Sequence, residues 1–343
     1  MGTLTTGIGS LPHHNVDAAL EFSFKHDIPY LPQIPIRNAW EYMIPQALEG
    51  LPGLLVEKDG TVLLDINVWS ARAKAFSEKL SLAFENSISH RAFESFEPSA
   101  ASFSSWQPFL WELQERKVKL AKIQLAGPLT SQWALKLLDS SSIFEHPDLT
   151  TQIYKLVLAR TLAMCCRLKE VGVQPFCYID EPALYAFSIK EPRHLLAVQE
   201  LKILIQAMKK EGVLVGLHCC SNTNWKVVLE LGLDFISLDV QLSLESVLAC
   251  DEVKLFLKAG GHFSFGVIPT SKTQAQDQLQ LNPQEIFLVL KETLLKYKLD
   301  PKQVLAQALY TPACGLALHS TSYAETVFEH LTNFRKELQR FLS

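Results

Sequence analysis

No run of about eighteen apolar residues occurs in this 343-residue sequence, so it holds no candidate for a membrane-crossing helix. Met1 to Ser10 carries no basic region followed by an apolar run, and no secretory signal is read there. No basic stripe is present either. Lys209-Lys210 and Arg335-Lys336 read as solvated helix faces, and the formal net charge is −4, so a nucleic-acid partner is not expected. The glycine fingerprint of a dinucleotide fold is missing, since Gly7-Ile8-Gly9 is too short to be one. Cysteine is too sparse for a disulfide framework: seven residues, an odd number, are scattered along the chain. The expectation is a cytoplasmic protein with reduced thiols, each serving as core filler, metal ligand or nucleophile. Assembly into a homo-oligomer is compatible with all of this.

What is present is a globular composition, 48% hydrophobic and 20% charged, as in ordinary soluble enzymes. Short β-rich runs at 3–8, 28–31, 118–125, 175–179, 213–217, 235–238, 262–267 and 304–310 alternate with amphipathic helical patterns. Among these patterns, 149–171 stops at Gly172 and 192–210 stops at Gly212. Another opens on Asn282-Pro283, and a last one begins at a capping box formed by Ser322 and Glu325. Strand alternating with helix implies a parallel sheet covered by helices. About eight such units favour an α/β (β/α)8 TIM barrel over an open, doubly wound sheet. The chain is read as one barrel domain, 1–343, with an insertion at about 53–117 between the second and third barrel strands. The insertion begins with a hairpin at 53–65 turning at Lys58-Asp59-Gly60 and continues as a helix at 70–85. Residues 86–105 then form a long loop of the kind that closes over sites.

Barrel active sites lie at the C-terminal ends of the strands, and those ends carry polar or ligating groups here. Ser10 follows the first strand, Thr130 the third, Asp180-Glu181 the fourth, His218-Cys219-Cys220 the fifth, Asp239 the sixth and Cys314 the eighth. In an extended segment residues i and i+2 share a face, so His218 and Cys220 converge while Cys219 points away. Imidazole with thiolate suits Zn²⁺, although for that pair alone a strand end with two core cysteines is the better reading, because zinc needs four ligands. Cys314 offers a third ligand and Asp239 a fourth, which turns the balance toward metal. Glu181-Pro182 reads as a helix start, leaving Asp180 to face the site.

The run Ile8-Gly9-Ser10-Leu11-Pro12, the run Ile179-Asp180-Glu181-Pro182-Ala183-Leu184, the pair His218/Cys220 and the run Pro312-Ala313-Cys314-Gly315-Leu316 occur in this order. Together they resemble the catalytic domain of cobalamin-independent methionine synthase, within the superfamily of uroporphyrinogen decarboxylase, from Ile8 to the last helix. The resemblance implies a zinc-dependent methyltransferase on a barrel. His218, Cys220 and Cys314 match the family's zinc ligands, and Asp239 stands at the place of a fourth, a Glu one methylene longer. Ile8, Ser10 and Asp180 match the substrate-binding residues, Asp180 doubling as the catalytic carboxylate that pairs with the ammonium group of homocysteine. The chain departs from the family at three points. It has length for one barrel, not two. Pro269 stands near the place of a histidine that protonates a departing folate. Gln33 and Ile34 stand where a homocysteine-binding Glu is expected.

The reading is therefore transfer of a methyl group to a thiol, homocysteine before others. Methylcobalamin or a corrinoid protein is the donor favoured over folate, because Pro269 offers no proton; His262 lies earlier on its strand, and His319 is the candidate replacement acid. The alternatives are a corrinoid methyltransferase acting on coenzyme M, a decarboxylase of the uroporphyrinogen type, and a non-catalytic zinc-binding barrel.

Overall fold

A computed structural model describes residues 3–85, 91–270 and 282–343. Among the described residues ten strands are formed: β1 (Leu4–Thr5), β2 (Leu54–Val56), β3 (Val62–Leu64), β4 (Leu120–Ala126), β5 (Lys136–Leu137), β6 (Gln174–Asp180), β7 (Leu214–Cys219), β8 (Phe235–Asp239), β9 (His262–Ile268) and β10 (Leu309–Pro312). Seven of them make one sheet in the order β1-β10-β9-β8-β7-β6-β4, with every pairing parallel. The helices Pro147–Glu170, Pro192–Lys210 and Thr321–Leu342 are among those that cover it.

This is a TIM-like α/β arrangement, but its ladder does not close. Between β1 and β4, where an eighth strand is expected at 28–31, the chain makes isolated bridges only, Ser10 with Gln33 and Tyr30 with Lys122. The sequence explains the gap. Pro29, Pro32 and Pro35 have no N–H, so a regular ladder is interrupted every third residue. The remaining amides still reach both neighbours: Ile28 donates to the Thr5 carbonyl at 3.0 Å and Leu31 to the Lys122 carbonyl at 2.9 Å.

Helix ends follow local chemistry. Gly172 and Gly212 take positive φ after the helices ending at Glu170 and Lys210, as glycine at a C-terminal stop permits. Asn282 caps the helix Pro283–Lys296 by accepting from Gln284 N. Two expectations fail. The last helix is capped by Ser320, which accepts from Tyr323 N, while Glu325 pairs with Lys25 at 2.7 Å instead of reaching back to Ser322. The run at 304–310 is part helix: Asp300 as N-cap and Pro301 at the first turn start the helix Pro301–Gln307, and β10 begins only at Leu309.

Within 53–117, β2 and β3 pair antiparallel and the helix Ile66–Glu85 follows. Residues 86–90 lie outside the described residues. From 91 on, the loop does not hang free: Phe93, Phe96, Phe103 and Trp106 are all buried in the main hydrophobic cluster.

Inside the ring a separate apolar layer, Ile28, Phe176, Tyr178, Phe235 and Leu309, is joined by Leu4, Leu120 and Leu214 from the N-terminal ends of their strands. It forms a floor, and the open end of the ring is the C-terminal one. At that end Glu181 is fully buried and accepts from Leu129 N, Thr130 N and the Thr130 hydroxyl at 3.1, 2.8 and 2.6 Å. Its side chain thus caps the neighbouring helix Pro128–Ala134 and not its own turn, which answers the structural role expected of it in a different way. Gly127, just before that helix, leaves the room this needs, because a Cβ there would fall 2.0 Å from Glu181 Oε1. Gly127→Ala is expected to lower stability by about 1–3 kcal/mol, as overpacking of a pinned buried group does. An unchanged midpoint in thermal denaturation would show that the carboxylate moves aside freely.

Candidate metal centre

The ladder brings the strand ends into one cluster. Asp180 on β6 is in register with His218 on β7, and His218 with Ser237 on β8. His218 is buried, and its Nδ1 lies 3.0 Å from the Ser237 hydroxyl. Its Nε2 is buried with no hydrogen-bond partner. A buried imidazole tied at one nitrogen and bare at the other is the arrangement of a metal ligand with its outer-sphere partner. Cys220 and Cys314 complete the group: one ligand atom from each of His218, Cys220 and Cys314 lies within 4.8 Å of the other two. Cys219 faces the other way, fully buried in the main apolar cluster.

The two thiols are coupled. The adjoining Cys314 thiol and the nearby His218 ring pull Cys220 down to about 4, while a proton shared with Cys220 pushes Cys314 up. A pair that yields one thiolate readily suits a cation, since metal ligands must be deprotonated. Nitrogen and sulfur donors in this combination fit zinc.

Asp239 is near but outside this group. Its Oδ1 accepts from Gln241 N at 2.8 Å and Leu242 N at 3.2 Å, so it serves as the N-cap of the helix Val240–Leu248. Aspartate is among the best N-cap residues, and a helix starting directly after β8 takes it up. Burial raises its carboxyl above the ordinary range, with Cys220 adding to the effect and His218 opposing it.

Asp180 is buried, and its Oδ1 has no hydrogen-bond partner. Burial pushes its carboxyl up to about 6, against the opposing pull of His218 and Lys122. Asp180 lines an open cleft of about 830 Å³ together with Ile8, Ser10, His218, Cys220 and Cys314. The Ser10 hydroxyl sits directly against Gly315, where a Cβ would fall 2.1 Å from it. The expected substrate-binding and metal-binding residues other than Asp239 therefore share one cavity.

Glu41 also lines the cleft, and sequence reasoning missed it. It accepts from Ile34 N at 3.0 Å and from the Ser104 hydroxyl, and burial raises its carboxyl. It belongs to a three-residue turn, Ala39–Glu41, capped by Asn38; the Asn38 cap was the available signal, but no periodicity marks so short an element. No lysine or arginine is among the described residues that line this cleft. His262 begins β9 at the opposite end of the ring. His319 Nε2 lies 2.6 Å from the Thr270 carbonyl, and its ring stacks on Tyr323 at 4.4 Å, which ties it to the chain after β9.

No protein-family profile matches the sequence, and no curated protein matches it. The fold itself is shared with solved structures. One, described as a methyltransferase from Methanosarcina mazei, superposes with a TM-score of 0.57 at 14% identity, over 98% of this chain and 93% of that one.

The geometry separates three cysteines that look alike in sequence. Cys220→Ser and Cys314→Ser are expected to lose most bound divalent metal, and Cys219→Ser to keep it, as measured by metal analysis after dialysis. Ser237→Ala should weaken metal affinity about 10- to 100-fold by freeing the His218 ring. Equal retention in all four variants would remove the site.

Proposed function

We propose that the chain is a zinc-dependent methyltransferase whose acceptor is a thiol, homocysteine before others. The observation that carries this is the convergence of the ligand atoms of His218, Cys220 and Cys314 on the cleft at the C-terminal end of the ring. Three protein ligands leave a tetrahedral ion one exchangeable position, whereas a structural zinc site has four fixed ligands. A zinc ion held there would lower the pKa of a coordinating substrate thiol, so that the reactive thiolate is present at neutral pH. The neighbour in Methanosarcina mazei, described as a methyltransferase, supports the general class of reaction.

The chain's own residues would select and orient the acceptor. Asp180, with one unpartnered oxygen in the cleft, receives its ammonium group. Ser10 and the adjoining backbone at Ile8 receive its carboxylate. Glu41 adds a second negative group to the wall. The two carboxylates Asp180 and Glu41 favour a thiol that carries an ammonium over coenzyme M, whose sulfonate they would repel. Asp239, released from its cap, remains the nearest candidate for a fourth ligand.

A corrinoid donor fits these residues better than folate. Folate nitrogen must be protonated as its methyl leaves, and a positioned histidine is the natural source. Pro269 has no proton to give, His262 stands at the far end of β9, and His319 is engaged with Thr270. Methylcobalamin, or a methylated corrinoid protein, needs no such acid.

Methionine formation from homocysteine is expected to be faster with methylcobalamin than with methyltetrahydrofolate at equal concentration and saturating thiol. Faster turnover with the folate would reverse the donor assignment. Asp180→Asn should weaken homocysteine binding by about 1.5–3 kcal/mol, the worth of a hydrogen bond to a charged group, with metal content unchanged. Calorimetry that finds equal affinity would take Asp180 out of the acceptor pocket.

A further inference from the structure

Lys122 lies on β4 with its side chain inside the ring, and only 1% of it is exposed. Its Nζ donates to the Ile8 carbonyl at 2.6 Å and to Gln124 Oε1 at 3.0 Å, and stands 4.7 Å from the centre of the Tyr178 ring. Burial draws this ammonium down to about 8. A methionine of similar length would avoid the desolvation penalty, but it would leave the Ile8 carbonyl and Gln124 Oε1 without this donor and Asp180 without this neighbouring charge. A lysine at so buried a place calls for a reason.

The reason lies in what it holds. β1 ends at Thr5, and no backbone amide reaches the Ile8 carbonyl among the described residues. The neighbouring segment 28–33, thinned of donors by its prolines, cannot supply one. The carbonyls beside it are held by the backbone, Gly9 by Gln33 N at 3.1 Å and Ser10 by Leu316 N at 2.8 Å, and at Ile8 a side chain takes over. Lys122 binds Ile8, Gln124 Nε2 donates to the Leu31 carbonyl at 2.8 Å, and Gln33 Nε2 donates to Gln46 Oε1 at 2.7 Å. Gly9 is pressed between the two glutamines: a Cβ there would fall 2.6 Å from Gln124 and 2.8 Å from Gln33. Ile8 and Ser10, on either side of Gly9, line the cleft.

We propose that Lys122 is a positioning residue for the acceptor pocket: its charge-assisted hydrogen bond holds the Ile8 carbonyl, the one carbonyl of residues 8–10 that no backbone amide reaches among the described residues, and so sets that stretch against the cleft. This rests on reading that cleft as the thiol pocket. It separates two properties that a structural lysine would join. Lys122→Met should keep its metal and its fold, with the thermal midpoint lowered only modestly, while the pocket loosens.

The test compares wild type and Lys122→Met by hydrogen exchange of the peptide covering residues 6–12, by homocysteine titration, and by steady-state kinetics. The expected result is faster exchange confined to that peptide and KM raised about tenfold, the order of one charge-assisted bond, with kcat changed less. A sharply lowered midpoint with exchange raised throughout the ring would make Lys122 a structural residue and overturn the proposal. Unchanged exchange with unchanged affinity would overturn it as well. If wild type binds no homocysteine and exchange at 6–12 still rises in the variant, the anchoring stands and the thiol reading alone falls. Should Lys122→Met fail to fold, Lys122→Gln, a smaller change in polarity, carries the same comparison.

Discussion

The parallel register of β6, β7 and β8 is the constraint on which the site depends. It sets Asp180 beside His218 and His218 beside Ser237. A slip of one residue would send His218 outward and bring Cys219 in, because side chains alternate across a strand. The packing on both faces opposes such a slip. Leu217 and Cys219 are sealed into the outer core, and inside the ring Gly216 leaves the space that the Tyr178 ring occupies, where a Cβ would fall 2.4 Å from it. Apolar packing below therefore decides which ligating atoms meet above.

Burial then decides their chemistry. Asp180, Asp239 and Glu41 are all pushed upward by loss of water, and the two converging thiols share a proton. Acids and thiols gathered in and beside one cleft repel one another, and for this reason the function proposed above pairs them with a divalent cation and an ammonium-bearing ligand. The same asymmetry distinguishes the cleft from the charged surface, where opposite signs alternate in pairs such as Lys226 with Glu252 and Lys296 with Glu245.

Much of the site was legible before the fold. The i, i+2 spacing of His218 and Cys220 is a property of any extended segment, and it told Cys219 apart as well. Cys314 is almost a hundred residues away, and only the assumption of a ring brought it in. Asp239 was read as a ligand because of its place at a strand end; the competing demand of a helix starting at the next residue was visible in the same stretch. Glu41 was not legible, since a three-residue turn has no periodicity to mark it. The prolines at 29, 32 and 35 were in plain view, yet the apolar run around them outweighed their missing donors. The last cap was misplaced because Ser320, Ser322 and Glu325 all satisfy the local rule, and the choice among them was made by Lys25, three hundred residues away in sequence.

The proline-interrupted segment gives the ring a seam. Around most of the circle stiffness is a backbone property, carried by ladder hydrogen bonds that no single substitution removes. Across residues 28–33 only scattered backbone bonds remain, such as Leu31 N to the Lys122 carbonyl and Gln33 N to the Gly9 carbonyl, and the side chains of Lys122, Gln124 and Gln33 add to them. Rigidity at this one sector can thus be inherited, lost or tuned by point mutation without touching the rest of the barrel. Because the seam lies under one wall of the cleft, the breadth of ligands such a cleft admits can drift while the strands that carry His218 and Cys314 stay as they are.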